Sequence, residues 1–293
     1  MLCAMKRISD ARRTAEEVLF DDRSRIVIMS DCHRGNGDGR FDNFLRNQNI
    51  FHAALHHYNR GMFTYIELGD GEELWENRRP GEIMGMYKEI YELLSEYYHA
   101  GRLIMCYGNH DIVKRDQDYV DRYFRRYFPG IRVYGSVLLK HRYSGSSLFL
   151  IHGHQADFLN DPLWKLARFL VRYIWRRLEL IGVNDPTSAA RNYRRSINVE
   201  KTLMRWAERE NQILIAGHTH RPVFPERGRG LYFNDGCCVH SNGITAIEIV
   251  EGTIALVRWR VKTRGDGLMF VGRDVLAGPR SIDGYNARIG QKR

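Results

Sequence analysis

Leu103 to Asp111 reads LIMCYGNHD. An apolar run breaks at Gly108 and hands over to an amide, an imidazole and a carboxylate in succession. So short a run, closed by glycine, reads as a buried strand that ends in a polar loop. The same pattern recurs on both sides, at Arg25 to Ser30 (RIVIMS), Thr64 to Gly69 (TYIELG), Leu148 to Gly153 (LFLIHG) and Ile213 to Gly217 (ILIAG). Between these runs, Phe41 to Tyr58, Pro80 to His99 and Leu163 to Leu178 carry apolar residues at helical spacing. Strand and helix therefore alternate, which points to an α/β fold with its sites at strand ends.

Beyond Gly217 the rhythm changes. Gly230 to Phe233, Ile244 to Val250 and Thr253 to Val261 follow one another with short turns, and we expect a second, strand-rich sheet there. Residues 264–293 scatter glycines among arginines and read as a loop or loosely packed tail. Neither an internal repeat nor an interdomain linker stands out, so residues 1–293 read as a single domain.

Composition narrows the class. With 43% hydrophobic and 27% charged residues in 293, disordered, collagen-like and fibrous chains are excluded, and the length suffices for a core without staples. Five cysteines without a Cys-x-x-Cys pair read as reduced, partly buried thiols, and the first ten residues have no apolar segment of a secretory signal. We expect a cytoplasmic protein with no transmembrane segment. Lysine and arginine number 45 against 35 acids, 45 − 35 = +10, an excess that favours anionic partners such as phosphate esters, nucleic acid or an acidic lipid surface.

Each strand end delivers metal-ligand chemistry: Asp31 and His33 after the first, Asp70 and then Glu73 after the second, Asn109, His110 and Asp111 after the third, His152 and His154 after the fourth, His218 and His220 after the fifth. The i, i+2 spacing sends two side chains to one side of a strand, so Asp-x-His and His-x-His are chelating pairs. Carboxylate, imidazole and amide oxygen suit manganese, iron or zinc, and the lack of cysteine at these loops argues for a catalytic rather than a structural centre.

Taken in order, Asp-x-His, Gly-Asp-x-x-Glu, Gly-Asn-His-Asp, His-Gly-His and Gly-His-Thr-His resemble the motifs of the calcineurin-like metallophosphoesterase superfamily. The resemblance implies a four-layer α/β/β/α sandwich of two mixed sheets, with a helical cap insertion near residues 155–205. It implies two divalent ions, manganese foremost, with iron, zinc, cobalt or nickel as others. One ion would take Asp31, His33, Asp70 and His220, and the second Asp70, Asn109, His152 and His218, with His154 an alternative to His152. His110 would act from outside the ligand set on the transition state or the leaving oxygen, oriented by Glu73. The expected activity is hydrolysis of a phosphodiester or pyrophosphate bond by a hydroxide that bridges the metals. A phosphomonoesterase, including a protein Ser/Thr phosphatase, shares the same motifs, and a nuclease is a further rival; a non-catalytic scaffold would keep the fold but usually loses the His110 equivalent or a ligand, and this chain keeps both. Within the superfamily, the helical insertion is similar to that of the UDP-2,3-diacylglucosamine pyrophosphatase branch, which typically has arginine where this chain has His110.

Other features have plainer readings. His52, His56 and His57 fall on a helix surface, and His240 is a candidate for the rim. Arg34 and Arg40, around the glycines of RGNGDGR, are candidate substrate clamps. Leu163 to Leu178 forms a basic amphipathic helix, read either as packed on its own core or as a lid over a nucleotide-linked or lipid-linked substrate, with peripheral membrane contact.

Overall fold

The computed structural model of the protein describes residues 2–157, 160–161, 163–175 and 193–286. One sheet has seven strands in the order β12-β11-β10-β2-β3-β4-β5. These are β2 (Arg25–Met29), β3 (Thr64–Leu68), β4 (Leu103–Cys106), β5 (Val133–Tyr134), β10 (Ile244–Val250), β11 (Thr253–Thr263) and β12 (Met269–Ser281). The other has five, β1 (Glu16–Phe20), β6 (Ser136–His141), β7 (Ser147–Ile151), β8 (Ile213–Ala216) and β9 (Tyr232–Asn234), in the order β1-β6-β7-β8-β9. Both are mixed: β2 to β5 run parallel while β10 joins β2 antiparallel, and β6 opposes β7 while β7, β8 and β9 run parallel.

Alternation along the strands builds the layers. In β2, Val27 and Met29 enter one core with Phe51 and Leu55 of helix α2 (Gln48–Arg60) and with Tyr91 and Leu94 of α4 (Lys88–His99). Ile26 and Ile28 point the other way, into a core shared with Leu148, Leu150 and Leu214 of the second sheet. Successive side chains of a strand face opposite sides, so one strand feeds both cores. On the far side of the second sheet lie α1 (Leu2–Arg13), through Ile8, and α7 (Tyr193–Glu210), through Val199, Leu203 and Trp206. The result is the α/β/β/α sandwich. Trp206 meets Phe149 at 5.3 Å between centroids, which anchors that outer helix.

Several expectations need correction. The strands after Gly217 do not form a second sheet by themselves: β10 pairs Ile247 and Ile249 with Ile28 and Ile26 of β2, and only β9 enters the five-stranded sheet. The glycine-rich tail is largely a strand, because Phe270, Val271, Val275 and Ala277 pair along β11 while Gly278, at φ +87, sits by a register shift. Its last residues, 287–293, lie outside the described part. The helix expected over Pro80 to His99 is two, α3 (Pro80–Met86) and α4, because Tyr87 leaves the helical region at φ −108, ψ 36 to bond its hydroxyl to Asp42. A short α5 (Gln117–Tyr123) and a terminal α8 (Asp283–Asn286) complete the helices together with α6 (Trp164–Leu170), which runs on as a wider π turn through Val171–Trp175. Arg176, Arg177 and Leu178 of the basic helix lie outside the described residues. The C-terminal end of the expected cap insertion is α7, which belongs to the outer layer of the sandwich rather than to a cap.

Candidate metal centre

The loops that leave β2, β3, β4, β7 and β8 are stitched to each other at one end of the sandwich. Asp31 N–H donates to the Gly69 carbonyl at 3.1 Å, His33 N–H to that of Asp70 at 2.9 Å, and Gly217 N–H to that of His152 at 3.0 Å. Glycine is required where these backbones touch. A Cβ on Gly108 would lie 2.2 Å from Asp70 Oδ1, and one on Gly69 would lie 2.7 Å from His152 Nδ1.

Backbone conformation is the unexpected part. Asp31, His33, Asp70, His218 and His220 all have positive φ, between 47° and 66°. Left-handed turns at non-glycine residues cost about 1–3 kcal/mol each and collect at functional sites. The convergence of Asp31 with His33 and of His218 with His220 therefore comes from strained turns past the strand ends. The strand pleat invoked above is not what does it.

Donor atoms gather in three groups, each within 4.8 Å: Asp31, His33 and His220; Asp70, His152 and His218; and His33, Glu73 and His110. His220 Nε2 lies 3.1 Å from Asp31 Oδ1, His152 Nε2 3.2 Å from Asp70 Oδ2, and His33 Nε2 3.8 Å from Asp70, so Asp70 sits between the first two groups. His152 Nδ1 donates to the Leu68 carbonyl at 2.9 Å, which orients the ring and points Nε2 toward Asp70. His33 is held likewise, Nδ1 against Glu73 at 2.9 Å. Asn109 is fully buried, and neither atom of its amide has a hydrogen-bond partner among the described residues. An orphaned buried amide oxygen, on the residue between Gly108, which abuts Asp70, and His110, suits a divalent ion. His154 joins none of the groups; its ring lies 5.5 Å from that of His152.

The charges explain why a cation fits. Burial would raise the Asp31 carboxyl, yet His220 and His152 hold it well below its usual range. Asp70 behaves alike, held down by His152 and His110 against its own burial. In return, carboxylates overcome the burial of the imidazoles and push His152 up to about 9 and His220 to about 10. Two buried carboxylates thus draw positive charge onto their neighbours, and divalent ions would supply it instead. Burial, joined by the charge of His152, keeps His154 well below the ordinary imidazole value, as a neutral ring beside the site.

His110 stands just outside. Its Nδ1 is 2.8 Å from Glu73, its own N–H donates to Asp70 Oδ1 at 2.8 Å, and Trp75 stacks on its ring at 4.3 Å and 23°. Burial opposes its protonation, but Glu73 and Asp70 raise its pKa, while His110 and His33 bring Glu73 down to about 2 despite burial. Glu73 therefore grips His33 as well as His110, one role more than the sequence suggested.

The calcineurin-like phosphoesterase model matches residues 24–222, about two thirds of the sequence. The chain belongs to the calcineurin-like phosphoesterase family. As a family these proteins are metal-dependent phosphoester hydrolases, and the donor groups above lie inside the matched span. A search of the curated proteins returned no match. Among solved structures, vacuolar protein sorting 29 from Cryptosporidium parvum aligns with TM-score 0.40 and 12% identity over 87% of this chain and 98% of its own. Vps29 from Chaetomium thermophilum aligns with TM-score 0.40 and 10% identity over 88% and 97%.

Sequence reasoning passed over several residues of this site. Asp157 meets His218 Nε2 at 3.4 Å and pairs with Arg195; Asp111 accepts from the N–H groups of Gly71 at 3.1 Å and Gly108 at 2.7 Å; Ser30 donates to Asp31. Asp111 was visible in its motif, whereas nothing local marks the others. Arg34 is no substrate clamp: it is fully buried between Glu67 and Glu72 at 2.8 and 2.7 Å. Arg40 is exposed near Asp38, and His52, His56 and His57 line the outer side of α2 while His240 is exposed.

Proposed function

We propose that this phosphoesterase is a dinuclear metal enzyme that cleaves a phosphodiester or pyrophosphate bond. The observation that carries the reading is the pair of donor groups, Asp31 with His33 and His220 and Asp70 with His152 and His218, which approach each other where His33 Nε2 lies 3.8 Å from Asp70, with His110 and Glu73 poised at their edge. Asp31, His33, Asp70 and His220 would hold one ion, and Asp70, Asn109, His152 and His218 the other; manganese suits this set best, with iron, zinc, cobalt or nickel also compatible. Such ions, when bound, supply an activated water and neutralise charge on phosphoryl oxygens.

The protein's own residues do the rest. The unpaired buried amide of Asn109 and the locked Nε2 of His152 are set in place before any ligand arrives, which spares reorganisation during the reaction. His110, with its raised pKa, keeps a proton to pass to the leaving oxygen, and Glu73 stabilises the imidazolium until it is passed. Trp75 covers one face of the ring and keeps water from it. The helix α6 docks beside this edge, where Arg172 donates to the carbonyls of Trp75 and Leu74 at 2.6 and 2.8 Å. That cover favours a diester or anhydride within an extended small molecule, nucleotide-linked or lipid-linked, over a phosphorylated protein side chain. One domain with a cap and a reducing, cytoplasmic setting complete the reading; all five cysteines are free, and no helix among the described residues is long and apolar enough to cross a membrane.

The test is hydrolysis of bis-p-nitrophenyl phosphate against p-nitrophenyl phosphate by protein stripped of metal and reloaded with manganese, with His110→Ala alongside. Faster diester cleavage, lowered about 10²–10⁴-fold in His110→Ala with metal content unchanged, is expected. Preference for the monoester would replace this reading with a phosphatase, and no His110-dependent activity would remove it.

A further inference from the structure

Four guanidiniums from three separate stretches of chain gather around Trp164, Tyr173 and the backbone of Leu74 and Trp75, and Trp75 in turn stacks on His110. Arg168 and Arg172 come from α6 and its π turn, Arg78 from the loop after Glu73, and Arg115 from the turn after the Gly-Asn-His-Asp motif. Aromatic planes space them: the Trp164 ring has Arg168 at 4.8 Å and Arg115 at 5.6 Å, and Arg78 lies 5.7 Å from the ring of Tyr173, whose hydroxyl it also bonds. Arg172 is fastened to the carbonyls of Leu74 and Trp75, one residue from the stacked His110 ring.

Among the described residues the cluster is short of counter-charge: Glu73 acts on Arg172, and Asp161 on Arg115, only from beyond ion-pair distance. Among the described residues, none of the four arginines forms an ion pair with a carboxylate. Asp161, whose charge acts on Arg115, is itself bound to Arg7 at 2.6 Å. Burial, together with the charges of Arg168 and Arg78, lowers the Arg172 guanidinium from its usual value, as expected where like charges crowd. A solvated basic helix would spread such charges over its outer face. Here they converge across the seam between α6 and the loops of the metal centre.

We propose that Arg115 and Arg168, both set against the ring of Trp164, form a subsite for a second phosphoryl group of the substrate, next to the phosphorus attacked at the metal centre. The proposal rests on the phosphohydrolase reading above and narrows it, because it asks for a substrate with two phosphoryl groups rather than an isolated diester. Planar guanidiniums match phosphate oxygens in pairs, and the like-charge repulsion of the free protein is relieved when the anion binds. Arg78 and Arg172 add to the field without direct contact.

The experiment is calorimetric titration of inorganic pyrophosphate and of orthophosphate into manganese-loaded protein dialysed free of excess metal. Wild type should bind pyrophosphate at least about tenfold more tightly than orthophosphate. In Arg115→Gln/Arg168→Gln the pyrophosphate affinity should fall about tenfold or more, with orthophosphate affinity within about twofold. Thermal melting checks the fold of the variant, and Arg168→Gln alone, at a half-buried helical position, serves if the double variant is unstable. Equal losses for both anions, or no loss for pyrophosphate, would overturn the subsite. Failure of wild type to cleave bis-p-nitrophenyl phosphate would strike the catalytic reading instead and leave the titration to be judged by itself.

Discussion

Replacing Lys114 by methionine tests how the metal loops are held. Beneath them, Arg34, Glu67, Glu72, Asp111 and Lys114 are each at most 2% exposed. Lys114 Nζ is 2.8 Å from Asp111 and also contacts Glu72, while Arg34 spans Glu67 and Glu72. The formal charge is 2 − 3 = −1. Burial, reinforced by Glu72, raises the Glu67 carboxyl and moves the cluster toward neutrality. Lys114→Met leaves Arg34 alone against these acids, and breaking a buried pair costs roughly 3–5 kcal/mol. For a chain of this size that is a fall in melting temperature on the order of 5–8 °C. Since Asp111 holds the N–H groups of Gly71 and Gly108, metal affinity should fall as well. Urea and thermal unfolding, with metal analysis of the loaded protein, read both effects. Adding Glu72→Gln removes one stranded charge and should recover about half the loss, a coupling that a double-mutant cycle isolates. Burial would lower the Lys114 pKa, but Asp111, Glu72 and Glu67 hold it above the usual 10.5. A lysine with a raised folded pKa stabilises fully below 10.5 and progressively less above it, so wild type should lose stability above that pH more steeply than Lys114→Met. A single variant within about 1 kcal/mol of wild type, or strict additivity in the cycle, would refute the idea of a closed charge cluster.

Other outcomes follow from the same geometry. Asp70→Asn, which removes the carboxylate proposed to serve both ions, should lose metal and activity together; activity surviving with less than half the metal would separate them. Trp75→Ala, which uncovers one face of His110, should slow esters with alkyl leaving groups about tenfold or more and p-nitrophenyl esters much less, since only the former need a proton donor. Equal slowing of both would mean that Trp75 serves the fold alone. Among the thiols, exposed Cys3 should react with a disulfide reagent at once, whereas Cys32, Cys106, Cys237 and Cys238 are buried and should react only on unfolding. Burial raises the pKa of Cys106 and Cys238, which lowers their thiolate fraction further.

What was legible in the sequence was whatever lies close together along the chain. An apolar run that stops at glycine marks a strand end, and Asp31 with His33 or His218 with His220 announces ligands within three residues. The tail misled because its glycines drew attention from Phe270, Val271 and Val275, which extend along β11 once that strand is there to pair with. Arg34 misled because exposure cannot be read locally: the same arginine beside a glycine-rich loop suits a clamp or a buried ion pair, and Glu67 and Glu72 decide between them.

The amino-acid order by itself determined the α/β class and the family and marked the candidate metal donors, since each depends on short-range pattern. Tertiary structure alone decided that β10 to β12 extend the first sheet, that left-handed turns aim the donors, and that Trp75, Asp157 and Lys114 support them. It also gathered Arg78, Arg115, Arg168 and Arg172 at one edge. These contacts join residues tens to hundreds of positions apart, and their energies come from burial and charge in a shared interior that no local window of sequence contains.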